Sequence, residues 1–203
     1  MNTSLLWIVV GLLAVTSVGV MLVRNWRSLI IFLAVQYIGV FLLTLQHWPV
    51  VMAAAKVIAG WMSAAILGMT QSNFFDETDE TREILPQGRL FRFIAAIMVG
   101  LIVISGAPLV DTIMADAGIT VATGSLILIG MGLLHLGVTD RILQVTIGLM
   151  TVLAGFEILY AAVENSILVA ALLAIINLGL ALTGSYLIVA ENAEDTEEVE
   201  SIL

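Results

Sequence analysis

The sequence predicts an all-α, polytopic membrane helix bundle with about seven transmembrane helices. Three observations predict it. Of 203 residues, 61% are hydrophobic and 11% charged, too little polar surface for a soluble domain of this size. Apolar runs recur at the length of about 20 residues that a helix needs to cross the hydrocarbon core. The basic residues outside those runs fall on alternate connections only.

The runs are residues 5–23, 28–46, 50–70, 91–110, 121–138, 142–163 and 166–190. The opening MNTSLLW has no positive leader region, so the first run reads as a retained helix. Arg24 and Arg27 end it. Pro49 opens the third run, which leads into the acidic DETDETRE at 76–83. Pro108 and residues 111–120 terminate the fourth. Residues 139–141 form a tight connection between the fifth and sixth. The seventh enters the acidic tail ENAEDTEEVESIL at 191–203, whose composition favours disorder. Most of the net charge of −9 lies in these two acidic segments, which read as solvated ends. A chain so acidic is a poor nucleic-acid binder, and its expected environment is the lipid bilayer.

With seven spans, Arg24, Arg27, Arg82, Arg89, Arg92 and Arg141 all fall on one side of the membrane. The positive-inside rule makes that side, with the C-terminus, cytoplasmic and the N-terminus external. Spans one to three and five to seven then form two parallel three-helix units joined by the fourth helix. The expected divisions are 1–70, a loop and linking helix at 71–120, the second unit at 121–190, and the tail at 191–203.

Two ionisable residues, Lys56 and Glu157, lie inside these runs. A charge at that depth costs several kcal/mol unless paired, hydrated or neutralised. Both sit on stripes of small neighbours: Ala53, Lys56, Gly60, Ser63 and Leu67, and Ala154, Glu157, Ala161 and Glu164. Small stripes let helices approach closely. A polar site or ion path between helices is therefore expected, with Glu164 at its outer mouth. The alternatives are a snorkelling lysine and a protonated glutamate that only joins helices. Gln36 and Asn177 are mid-span amides, suited to ordering water or to joining helices. His135, near the cytoplasmic end of the fifth run, reads as an interfacial anchor or a relay. Tyr37, Tyr160, Trp48 and Trp61 read as belt or packing residues.

Other chemistry finds no footing. Without cysteine there are no thiolate metal sites, iron–sulfur clusters or disulfides within the chain. His47 and His135 are predicted on opposite sides, so they do not form a haem or metal pair. No glycine-rich phosphate loop and no assembled nucleophile is legible, so no enzyme active site, cofactor or metal is expected.

Residues 124–190 resemble the three-helix NuoK subunit of respiratory complex I and its relatives, the MrpC antiporter subunit and hydrogenase-4 component E. The resemblance rests on the order of spans, the basic turn after the first helix and GFEIL at 155–159. Residues 27–70 resemble membrane subunits of the MbhD or MrpA-tail type, with Lys56 in AAAKVIAG standing where those carry an acid. A second NuoK-type glutamate has no counterpart, its place being taken by Ile175 near Asn177. The resemblance implies a membrane-arm subunit of a complex I, hydrogenase or Mrp-type assembly in a prokaryotic-type cell membrane. Its partners would be other membrane-arm subunits. It implies Glu157 as the main proton-exchanging group, Lys56 as its charged counterpart, and Gln36 and Asn177 as water-ordering groups. A stand-alone small transporter and a purely structural subunit are the other two classes open.

Overall fold

A computed structural model describes residues 3–23, 25–74, 87–114 and 117–202, with backbone alone at 87, 89 and 194–202. The described residues form α1 (Thr3–Leu22), α2 (Trp26–Thr44), α3 (Val50–Phe74), α4 (Gln87–Ile113), α5 (Ile119–Gly137), α6 (Ile142–Val163) and α7 (Ile167–Ile202). All seven are long and apolar enough to cross a membrane, so the chain is a multi-pass integral membrane protein. The acidic segment 76–83 and the side chains of Arg24, Arg82 and Arg89 lie outside the described residues.

Consecutive helices pack as neighbours within α1–α2–α3 and within α5–α6–α7. Across the two groups, α1 packs on α5, α2 on α6 and α3 on α7. Each helix of the first group thus rests on the helix of the same rank in the second. Leu13, Leu33, Leu43, Leu67, Leu128, Ile147 and Ile158 fill the common core. Helix α6 is the most enclosed of the seven and α4 the least, lying against α5 and α1.

Close approach between α5 and α6 depends on glycine. A Cβ at Gly155 would stand 2.7 Å from the Ser125 carbonyl oxygen of α5, too close for any other residue without a shift. That glycine opens GFEIL, so the motif's first residue sets how near Glu157's helix comes to its neighbour.

Two expected boundaries are corrected. Pro108 does not end the fourth helix. It lies inside α4, which runs on to Ile113. Proline forfeits one backbone bond, but the helix resumes at once: Met114 N–H donates to the Val110 carbonyl at 2.9 Å, and Thr112 Oγ1 donates to the Leu109 carbonyl at 2.8 Å. The chain then turns at Gly118, whose φ of 92° suits glycine and whose N–H donates to Asp111 Oδ1 at 2.9 Å. The second correction is the tail, where helix α7 continues through the acidic residues to Ile202. Composition argued for disorder, but alanine and glutamate are strong helix formers, and a helix already nucleated in the bundle extends without the nucleation cost.

Arg92 of α4 has a role beyond marking orientation. Its Nη1 donates to the Met21 carbonyl at 3.2 Å and its Nη2 to the Val138 carbonyl at 3.1 Å. Those carbonyls end α1 and α5, the first helices of the two groups. One guanidinium satisfies orphan carbonyls at both C-termini, where a cation is also favoured by the helix dipole. Arg92→Ala is expected to lower stability by about 1–3 kcal/mol, measured by thermal unfolding of the purified protein. Lysine at this position should recover only part, because an ammonium lacks the fork that spans both carbonyls. An unchanged melting temperature in Arg92→Ala would remove the clamp.

Candidate functional site

Lys56 and Glu157 meet. Lys56 Nζ donates to Glu157 Oε1 at 2.7 Å, and each side chain is 1% exposed. The lysine therefore does not snorkel. Each residue lies about 9 Å along its helix from the same end of the bundle, at 1.5 Å per residue. Ala53, Gly60, Ser63 and Leu67 of the α3 stripe are buried with Lys56, and Ala154 and Ala161 of the α6 stripe with Glu157. The small residues that looked like a helix interface in the sequence are one.

Helices α3 and α6 both pack against α2 and α7. The ion pair thus crosses the middle of a four-helix quartet. A second bond crosses it the other way: the Tyr37 hydroxyl of α2 donates to Asn177 Oδ1 of α7 at 2.7 Å. Tyr37 and Asn177 are each 1% exposed. Tyr37 lies near enough to Glu157 to feel its charge. Its ring packs on Gly60, where any Cβ would strike it. Ser63 Oγ reaches the Asn177 carbonyl at 3.4 Å. The α3 stripe therefore serves both links, with Lys56 in the ion pair, Gly60 under the tyrosine and Ser63 on the asparagine.

Several polar atoms in this layer are buried without a partner in the protein: Glu157 Oε2, Asn177 Nδ2, and both amide atoms of Gln36. Buried polar groups are normally satisfied, if not by protein then by water. The carboxylate uses one oxygen for Lys56 and keeps the other as an acceptor for a proton, a water or a cation.

On the side of the nearer surface the site is closed by aromatic residues. Trp48, 3% exposed, lies in the turn between α2 and α3. Its indole Nε1 donates to the Glu164 carbonyl at 2.9 Å, and its ring meets Tyr160 edge-on at 6.4 Å. Lys56 Nζ stands 6.0 Å from the Trp48 ring centroid, at the outer limit of a cation–π contact.

The other expected site residues are placed as follows. Gln36 is fully buried on α2 beside Tyr37. Glu164 is exposed at the C-cap of α6, with its backbone carbonyl rather than its carboxylate engaged. His135 is buried in the last turn of α5, at the end of the bundle remote from the ion pair, close to Gly148 and to the charge of Arg92. It is not brought to the site. Tyr37 and Trp48, read as belt or packing residues, are buried against the site with hydrogen bonds to Asn177 and to the Glu164 carbonyl, and Ser63 was seen only as a small neighbour. Depth was the overlooked signal. Tyr37 lies about 10 Å from the end of α2, level with Lys56 and Glu157.

Removing one charge of a buried pair costs about 3–5 kcal/mol, while replacing both with apolar groups is neutral or stabilising. Lys56→Met alone and Glu157→Met alone are therefore expected to lower the unfolding midpoint markedly, and the double variant to recover most of the loss. Equal losses in singles and double, by thermal unfolding in one detergent, would contradict a direct pair. Among the described residues no group of three or more His, Asp or Glu stands close enough to hold a metal ion.

Comparison of the chain with protein-family models, with curated proteins and with solved structures returned no match.

Proposed function

We propose that this chain is an integral membrane subunit of a multi-subunit assembly of the complex I, hydrogenase or Mrp type, and that Lys56 and Glu157 form its proton- or cation-exchanging element. The observation that carries the reading is the fully enclosed ion pair with one carboxylate oxygen free. Two buried charges are weak evidence for stability, since apolar residues serve as well or better. Alignment of the helices does not need them either. The other diagonal of the same quartet is fastened by the neutral Tyr37–Asn177 bond at similar depth. What a charged pair adds is the capacity to change protonation.

The chemistry follows from the contacts. At 2.7 Å, a proton can pass between Nζ and Oε1, so the pair can be charged or neutral without moving. A proton or cation arriving at Oε2 satisfies the carboxylate from its other face and frees the ammonium from its counter-ion. Gln36 and Asn177 Nδ2, buried without protein partners, supply the amides that would order water in this layer. The resemblance adds support. Glu157 occupies the GFEIL position and Lys56 the position of an acid in the other half, and these two are in direct contact. In this reading the bilayer is a prokaryotic-type cell membrane, with the arginine-bearing ends of the helices in the cytoplasm and the N-terminus outside.

The test uses the intact assembly purified from its native membrane and reconstituted into vesicles, with ion flux followed by a pH-sensitive dye. Glu157→Gln is expected to abolish coupled flux. The Lys56→Met/Glu157→Met double variant is expected to assemble with near-normal stability and remain without flux. Normal flux in the double variant would leave the pair a purely structural role. Flux from the isolated chain in liposomes would instead make it a transporter in its own right.

A further inference from the structure

The ion pair has unlike surroundings on its two sides. Toward the nearer surface stands an apolar cluster of Trp48, Met52, Ala161 and Ala170, with Tyr160 packed against it. Toward the farther surface the buried residues are a mixture: the polar Gln36, Asn177 and Ser63 stand among Leu33, Ala64, Met150 and Ile147 of the main apolar core. The nearer side is closed by aromatic rings, so water approaching the pair from there meets an indole.

We propose that Trp48 is a gate, sealing the Lys56–Glu157 pair from the surface about 9 Å away. This places control of access on the near side under the reading above, on which its meaning for ion movement rests. Three contacts hold the gate shut. The indole N–H is fastened to the carbonyl that ends α6, the ring is wedged edge-on against Tyr160, and its face is turned toward the Lys56 ammonium. The last contact ties the gate to the site's charge: the ring is attracted to Lys56 only while the amine is protonated. The hinge is short. Trp48 is followed by Pro49, which has no N–H to donate, and its own N–H donates to the Thr44 carbonyl at 2.9 Å. A small rotation of α3 against α2 would therefore swing the indole without breaking a helix.

The chain has no cysteine, so a single introduced thiol reports access without background. Ala161 lies within the Trp48 cluster, one turn from Glu157 toward the near surface. In permeabilised membranes, Ala161→Cys with Trp48 intact is expected to resist a charged methanethiosulfonate reagent. Adding Trp48→Ala should raise its labelling rate at least about tenfold, as expected when local opening no longer limits reaction. Trp48→Phe keeps an aromatic ring but loses the N–H donor, and should give an intermediate rate. It also serves should the alanine variant not fold. Asn165→Cys, in the exposed α6–α7 turn, should label alike in all three backgrounds. The proposal is overturned if Ala161→Cys labels as fast as Asn165→Cys with Trp48 in place, or if neither Trp48 variant changes its rate. Labelling reads access and not transport. Gated access with unimpaired flux in the double charge variant would keep the gate and discard the exchange role.

Discussion

The structure is organised around the cost of holding Lys56 and Glu157 away from water. In a low-dielectric interior neither charge is tolerable alone, so α3 and α6 must present them to each other with no lipid between. The pair spans the diagonal between two helices that each pack on α2 and α7, and the small residues beside it on the two stripes let those neighbours close around it. The same closeness brings Tyr37 flat against Gly60 and Asn177 within reach of both Tyr37 and Ser63. The polar layer is therefore a consequence of the ion pair's geometry as much as an addition to it.

The two helix groups give the layer a regularity. Since α2 rests on α6 and α3 on α7, the link α3–α6 and the link α7–α2 are counterparts under exchange of the groups. One is ionic and the other neutral. At the far end Arg92 joins the counterpart helices α1 and α5 through their terminal carbonyls. Equivalent positions carry matching mechanical roles, while charge is confined to one diagonal. A frame in which both diagonals were charged would bear twice the desolvation cost for the same alignment.

Spans, their order and the two exceptional residues were legible in the sequence because each signal is strong by itself. A run of apolar residues has no other stable reading, and a lysine or glutamate within one stands out against its cost. Pairing was less legible. The partner of Lys56 lies on a helix far along the chain, and periodicity gives a face but not what meets it. Tyr37 stayed between belt and packing because tyrosine is at home in both, and only its burial and its partner Asn177 distinguish the two. His135, read as an interfacial anchor or a relay, stands at a helix end far from the ion pair, a separation that periodicity does not give. Pro108 shows local propensity overruled by continuity, because a helix already formed on either side of a defect is cheap to continue, whereas in the acidic tail the helix propensity of alanine and glutamate acts together with continuity.

Depth gives the proposed exchange element an electrical asymmetry. The pair stands about 9 Å from one helix end, within a hydrocarbon core of roughly 30 Å. A charge crossing the whole core does work of about 2.3 kcal/mol per 100 mV. The step between the pair and the near surface would take roughly a third of that, by linear depth in the same field. The step through the farther half would take the remainder. That longer step passes the amides of Gln36 and Asn177 and then the aliphatic core that holds Leu33, Met150 and Ile147. The shorter is closed by an indole. A thin layer of side chains is enough to stop a charge at the near surface, because the distance left to cross there is only about 9 Å.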